Sequence, residues 1–205
     1  SSYGADIVCG DLQPLGIHQN CGGGQSGFMA TRDEASFVLE FPSRLFGICP
    51  TEKSGEYGFA DVAYDRTSFG HHREKGKEYV GTQTALWGIT AGVYLALMGP
   101  RGMTEVGETI AAKRQYAQGK LAAIPGVNIR FGMNNFKEFV ADFTATGKSV
   151  REINRALLAH GFFGGKDLSA EFPQFGQSAL YSVTEVRTKS EIDALAVALG
   201  EIARN

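Results

Sequence analysis

The sequence predicts an α/β fold in two parts, and three observations carry that prediction. The run "ADIV" (residues 5–8) reads as a fully buried strand of the parallel-sheet kind. A helix opening at Thr82 has apolar residues on nearly every side, which places it in a core or a subunit interface. Beyond residue 125, strands and helices alternate at short intervals, punctuated by two helix-start signatures. The expected domains are residues 1–124, the C-terminal part of a large α/β domain, and residues 125–205, a small α+β domain.

Residues 5–9 and 27–31 read as strands flanking the glycine-rich "NCGGGQSG". "RLFGIC" and "YGFADVA" flank the polar "TEKSGE" and predict a hairpin. "DRTSFGHHREKGKEY" reads as loop or edge structure. Thr82 then caps a helix carrying Leu86, Trp87, Ile89, Val93, Tyr94, Leu95, Leu97 and Met98, and Gly99-Pro100 stops it. Thr104 is the expected cap of a second helix with Val106, Ile110, Ala117 and Leu121 on one stripe, ended by Pro125-Gly126.

"VNIRF" and "FKEFVADF" read as strands. Ser149 with Glu152 forms a capping box for a helix with Ile153, Leu157 and Leu158 inward and Gly161 as stop. "ALYSV" is a strand, and Thr188 with Glu191 caps a final helix on Ile192, Leu195, Leu199 and Ile202. A buried parallel strand needs neighbours reached through crossover helices, and no βαβ repeat surrounds residues 5–9. The chain therefore reads as the second half of something larger and is expected to associate with a complementary chain.

Composition narrows the function classes. The chain has 205 residues, a formal charge of -2, 43% hydrophobic and 20% charged residues, as globular domains do. Near-zero charge gives no footprint for nucleic acid or an anionic membrane. The apolar run "TALWGITAGVYLALMG" falls short of the roughly 20 residues that span a bilayer, and no signal-peptide pattern opens the chain. Cys9, Cys21 and Cys49 have no paired spacing and are expected to be reduced thiols in a cytoplasmic protein. His18, His71, His72 and His160 show no metal-ligand spacing. Ser26 in "GQSGF" falls one residue short of a nucleophile elbow.

Three motifs bear on a site. Gly22–Gly24 either brings backbone amides to a ligand or makes a tight connection. "GFFGGKDLSAEFPQFG" is either a substrate-side loop or a packed connection. In "EYVGTQTALWGI", Gly81-Thr82 stands at a helix start, where free amides and the dipole suit a phosphate and the Thr82 hydroxyl adds a donor. Thr82 as a simple N-cap uses the same helix end.

"GADIVCGDLQPLG", "REK" ahead of a threonine and an apolar helix, "YLALMGPRGMTEV" and "LLAHGFFGGKDLSAEFPQFGQSALYSVTEVRTKSEID" together carry a resemblance. The chain resembles the P-protein of glycine dehydrogenase (decarboxylating), and specifically the second half of subunit 1 of its two-subunit form. The resemblance implies a pyridoxal phosphate (PLP)-dependent transferase fold of type I: the C-terminal part of its large domain plus the small domain.

In PLP-anchoring members, a strand like "ADIV" leads to a His-Lys pair whose lysine holds PLP covalently. Gln13-Pro14 stands there in this chain, and proline has no amine. The resemblance therefore implies no catalytic residue here and a cofactor held by a partner, the lysine-bearing subunit 2. Glycine loses CO2 in that complex, and the aminomethyl group passes to the lipoyl arm of the H-protein. The implied partners are the N-terminal half of the same subunit, subunit 2 and the H-protein. In related enzymes a Gly-Thr before a helix donates to the phosphate of a neighbouring subunit's PLP, which makes Gly81 and Thr82 the cofactor-binding candidates. One departure stands beside them: "REKGKEYVGTQT" replaces a "REKATSNICTNQ"-like run, with Lys77 and Glu78 in place of small or polar residues. It keeps two alternatives open, a relative acting on another small amino acid and a non-catalytic scaffold.

Overall fold

The computed structural model describes residues 4–18, 25–38, 40–41, 46–61, 84–132 and 134–204. They fall into two compact units, Ser1–Met98 and Gly99–Asn205. The sequence reading divides the chain at residue 124; the units divide at Gly99, so the helical segment beyond Gly99 groups with the C-terminal sheet.

In the first unit, β1 (Ile7–Asp11) and β2 (Gly27–Thr31) pair antiparallel, with Ile7 opposite Thr31 and Asp11 opposite Gly27. This corrects the expectation of a parallel strand buried on both faces, since Ile7 is exposed. A short apolar run carries the same pattern in a central parallel strand and in a hairpin, and here the described partner is β2. Small residues let the pair close. A Cβ on Gly27 would lie 2.8 Å from the Gly10 carbonyl oxygen, and one on Gly10 would lie 2.7 Å from the Phe28 ring.

The short helix α1 (Ala35–Val38) follows. The predicted hairpin is present as β3 (Phe46–Pro50) against β4 (Tyr57–Asp61), with Ile48 opposite Phe59. Its polar connection closes when the Glu56 amide donates to the Lys53 carbonyl and the Thr51 amide to the Glu56 carbonyl. Gly55 supplies the required positive φ of 85°.

Helix α2 (Ala85–Ala122) kinks at Gly99, whose φ of 61° and ψ of 178° are not helical. Pro100 restarts the helix at the position where a missing N–H is tolerated. The expected stop is thus a kink, and Thr104 is no cap: its hydroxyl donates back to the Pro100 carbonyl at 3.0 Å, one turn inside the restarted helix. The helix before the kink is not covered all round either. Ala91 is buried, but Leu86, Ile89, Val93, Leu95 and Leu97 are exposed.

The second unit holds an antiparallel sheet with helices. Its sheet runs β5–β6–β8–β7, antiparallel throughout: β5 (Asn128–Arg130), β6 (Glu138–Asp142), β7 (Lys166–Asp167) and β8 (Ser178–Ser182). Strand β7, inside the glycine-rich "GFFGGKDL", is an addition to the expected elements. The core joins Ala117 and Leu121 of α2 to Phe139 and Ala141 of β6, Tyr181 of β8 and both following helices. In α3 (Val150–Ala159) the inward stripe is Val150, Ile153 and Leu157. Leu158, expected inward, is exposed because it falls one position off the 3–4 spacing. α4 (Lys189–Arg204) buries Ile192, Leu199 and Ile202.

Both capping boxes are present. The Glu152 amide donates to Ser149 Oγ at 3.2 Å, and the Ser149 amide donates to Glu152 Oε2 at 2.8 Å. Thr188 and Glu191 repeat the exchange at 3.2 and 2.7 Å. The hydrogen bonds from the caps hold both glutamates below the usual carboxylate range.

Tyr181 yields a pH-dependent expectation. Its hydroxyl is buried and makes no hydrogen bond. Burial pushes the phenol up to about 12 from 10.0, with the nearby Gly165 amide opposing weakly. A raised folded value on an acid means the contribution is complete below pH 10 and lost as pH rises to about 12. Tyr181→Phe is expected to keep stability within about 1 kcal/mol at neutral pH. It should remove an alkaline loss of about 1.4 kcal/mol, read from urea midpoints at pH 7 and 11.

Candidate functional site

The turn after β1 carries Gln13-Pro14 among the described residues. Asp11 Oδ1 accepts the Gln13 amide at 2.8 Å, fixing the start of the turn. The Leu12 amide donates to the Ser26 carbonyl and the Leu15 amide to the Leu12 carbonyl, both at 2.9 Å. Gln13 Nε2 donates to the His18 carbonyl at 3.1 Å, while its Oε1 is buried without a hydrogen bond. Gly16 has φ +77°, and a Cβ there would lie 3.0 Å from the Tyr94 ring. The aromatic face of α2 therefore packs directly on the backbone of the turn.

Gln13-Pro14 sits within this brace. Pro14 has neither a side-chain amine nor an N–H, and the first lysine of the chain is Lys53. Asp11 is engaged with backbone, and His18 contributes its carbonyl. The turn presents a shaped backbone and no nucleophile. Sequence reasoning located Gln13-Pro14 but missed the Gln13 brace and the Tyr94 contact. The latter joins residues far apart in the chain and has no local signature. Gly22–Gly24, Cys21, His71, His72, Lys77, Glu78, Gly81 and Thr82 lie outside the described residues.

Several polar groups of the second unit are engaged structurally. Asp142 Oδ2 accepts from Arg130 Nη2 at 2.7 Å and Nε at 3.1 Å. Its Oδ1 accepts from the Thr144 amide at 2.9 Å and hydroxyl at 2.6 Å. Burial pushes this carboxyl upward, but the bonds from Thr144 and Arg130 together outweigh it and hold it below the usual range. Thr144 Oγ1 accepts the Gln177 amide, and Gln177 Oε1 accepts the Val150 amide, so the network reaches the start of α3.

Asp193 accepts from Lys189 and Tyr116 at 2.6 Å each and pairs with Lys120 at 2.9 Å. The Lys189 bond is foremost in holding it far below the usual range. Buried Arg114 clamps the loop before β6 by donating to the carbonyls of Phe136 and Asn135 and to Gln118 Oε1. A cleft of about 530 Å3 beside Phe162, Phe163 and Leu195 has apolar walls, with Arg187 and Glu191 among its lining. Among the described residues no group of His, Cys, Asp and Glu is placed to hold a metal, and no helix is long and apolar enough to cross a membrane.

Comparison with known proteins places this arrangement. The family model for the glycine cleavage system P-protein matches residues 1–199. The chain is 36% identical over 200 residues to the probable glycine dehydrogenase (decarboxylating) subunit 1 of Staphylothermus marinus, covering 97% of this chain and 42% of that one. It is 38% identical over 203 residues to the protein of the same description in Chlorobium luteolum, covering 98% and 43%. A crystal structure of glycine decarboxylase (P-protein) of the glycine cleavage system, in inhibitor-bound form, superposes with a TM-score of 0.82 at 31% identity. That match covers 98% of this chain and 44% of that one. A NifS-like protein from Rickettsia africae superposes with a TM-score of 0.50 at 18% identity over 73% of this chain, a likeness of fold alone. The chain spans less than half the length of the curated relatives it matches.

Proposed function

The chain belongs to the glycine cleavage system P-protein family, and from that premise we propose that it serves a glycine decarboxylase as the subunit that does not anchor the cofactor. One observation carries this: the turn after β1 is braced as a site element, yet it holds Pro14 and no lysine. Residues 11–17 therefore do not fit covalent attachment of PLP, and no reacting step is assigned to them. PLP, bound to a lysine of subunit 2, supplies the electron sink that lets glycine lose CO2. This chain's part is to complete the site. Gly81 amide and Thr82 hydroxyl would donate to the phosphate across the interface. The partners in this reading are the remainder of subunit 1, the lysine-bearing subunit 2 and the lipoyl H-protein, in the cytoplasm.

The test uses the reassembled complex. Thr82→Ala is expected to weaken PLP by about 1.5–3 kcal/mol, the loss of one charge-assisted hydrogen bond. Unchanged affinity would favour a scaffold without cofactor contact. Borohydride reduction should leave PLP on subunit 2 and none on this chain; label on this chain overturns the non-anchoring role. Glycine-dependent exchange of labelled bicarbonate checks the substrate, and its absence points to another small amino acid.

A further inference from the structure

The cleft beside the glycine-rich segment before β7 opens into the core of the second unit. Leu121, Phe139, Phe162, Phe163, Tyr181 and Leu195 supply its apolar walls, and Leu121, Phe139 and Tyr181 belong to the core itself. Its volume of about 530 Å3 falls within the roughly 300–1,000 Å3 of small-molecule sites. One wall is held in place. Asn154 Nδ2 donates to the Gly165 carbonyl at 2.8 Å, and a Cβ on Gly165 would lie 2.7 Å from the Tyr181 ring. Only glycine permits that approach. Tyr181 is 6% exposed, and its hydroxyl has no hydrogen-bond partner among the described residues. Such a buried orphan marks a site where packing by the chain is incomplete.

Charge selects the occupant. Arg187 and Glu191 are the lining's charged residues. The Arg187 amide donates to the Thr184 carbonyl at 3.3 Å, which fixes it just before the Thr188 cap of α4. Its Nη1 stands 3.6 Å from Glu191 Oε1, beyond hydrogen-bond length. The guanidinium therefore keeps its donors free among the described residues. Glu191 is already engaged, because its Oε2 accepts the Thr188 amide at 2.7 Å and hydroxyl at 3.0 Å. Lys113 adds a second positive charge near Glu191, and the positive end of α4 adds to the same side. We propose that this cleft binds a small organic carboxylate with an aromatic or branched apolar body. The body packs between Phe139, Phe162 and Leu195, and Arg187 receives the carboxylate, whose planar fork matches a guanidinium. A neutral ligand leaves those donors unused, and an ammonium meets the charges of Arg187 and Lys113. The inference does not rest on the glycine reading and involves neither Thr82 nor PLP.

The experiment titrates the full chain with phenylpropionate, phenylpropanol and phenylpropylamine, followed by calorimetry and two-dimensional NMR. Saturable one-to-one binding of phenylpropionate is expected, about 10-fold or more tighter than the alcohol, with the amine weakest. Shift changes should centre on Phe162, Arg187 and Leu195. Arg187→Gln should erase the advantage of the carboxylate and leave the affinity for the alcohol unchanged. The Arg187 side chain is 54% exposed, so the variant should keep the wild-type circular dichroism. Arg155→Gln, an exposed position on α3 away from the cleft lining, should leave all three affinities unchanged. No saturable binding of phenylpropionate overturns the proposal, as does an alcohol that binds equally well. An equal loss in Arg155→Gln, or shift changes confined to residues outside the lining, overturns it too.

Discussion

Phe143→Ala is expected to destabilise the C-terminal unit by about 3–5 kcal/mol, the range for emptying a buried aromatic site. Phe143 is 1% exposed. It follows β6 directly, and its ring lies 6.3 Å from that of Tyr181, which in turn stacks on Phe139 at 5.8 Å. The backbone around it has little freedom to collapse into the hole. The Phe143 amide donates to the Gln177 carbonyl, and its own carbonyl accepts both the amide and the hydroxyl of Thr146. A domain of roughly 100 residues has a total stability of about 5–15 kcal/mol, so this one substitution removes a large share of it. Urea denaturation should show the midpoint falling with an unchanged slope. Phe163→Ala is the matched comparison: Phe163 is 92% exposed, and the same truncation should stay within about 0.5 kcal/mol. Equal effects at the two positions would contradict the assignment of Phe143 to the core.

The contrast between these two phenylalanines also marks how far the sequence could be read. In the C-terminal unit the signals were local. Ser149 with Glu152 and Thr188 with Glu191 announce helix starts through bonds made within three residues, and they stand where expected. Strand β7 escaped notice because two residues, Lys166 and Asp167, offer no alternation to detect. Thr104 misled because a threonine one turn inside a helix resembles a cap, and Pro100 had already opened that helix.

In the first unit the apolar pattern did not distinguish buried from exposed positions: "ADIV" and the helix from residue 85 read as buried, while Ile7 and Leu86 are exposed. Gln13-Pro14 was legible through family resemblance alone. What holds it, Gln13 Nε2 on the His18 carbonyl and the Tyr94 ring against Gly16, depends on tertiary packing that spacing does not encode.

Asp142→Ala is expected to cost about 3 kcal/mol at neutral pH, and the part that depends on the charge should be lost in acid. The carboxylate accepts four hydrogen bonds, two from Arg130 and two from Thr144. Removing it strands the guanidinium and orphans a backbone amide where β6 leads into the turn at Thr144–Thr146. Breaking a buried pair typically costs about 3–5 kcal/mol. The Arg130 side chain is 34% exposed, which lets water recover part of that and places the value at the low end. The folded carboxyl is held below its ordinary 3.8. A depressed value means that the stabilisation is present above pH 3.8 and lost as pH falls through the lower folded value. Glu152, Glu191 and Asp193 are depressed as well, by their caps and by Lys189, so the wild type should lose stability below about pH 4 with several groups contributing. Asp142→Asn keeps an acceptor for Thr144 and removes the charge, so it should cost about 1–2 kcal/mol at pH 7 and flatten the acid limb by one group's share. Chemical denaturation of wild type and both variants from pH 7 to pH 2.5 separates these terms. If Asp142→Asn titrates with the full wild-type slope, the Asp142 carboxylate, with its bonds from Thr144 and Arg130, does not link folding to pH.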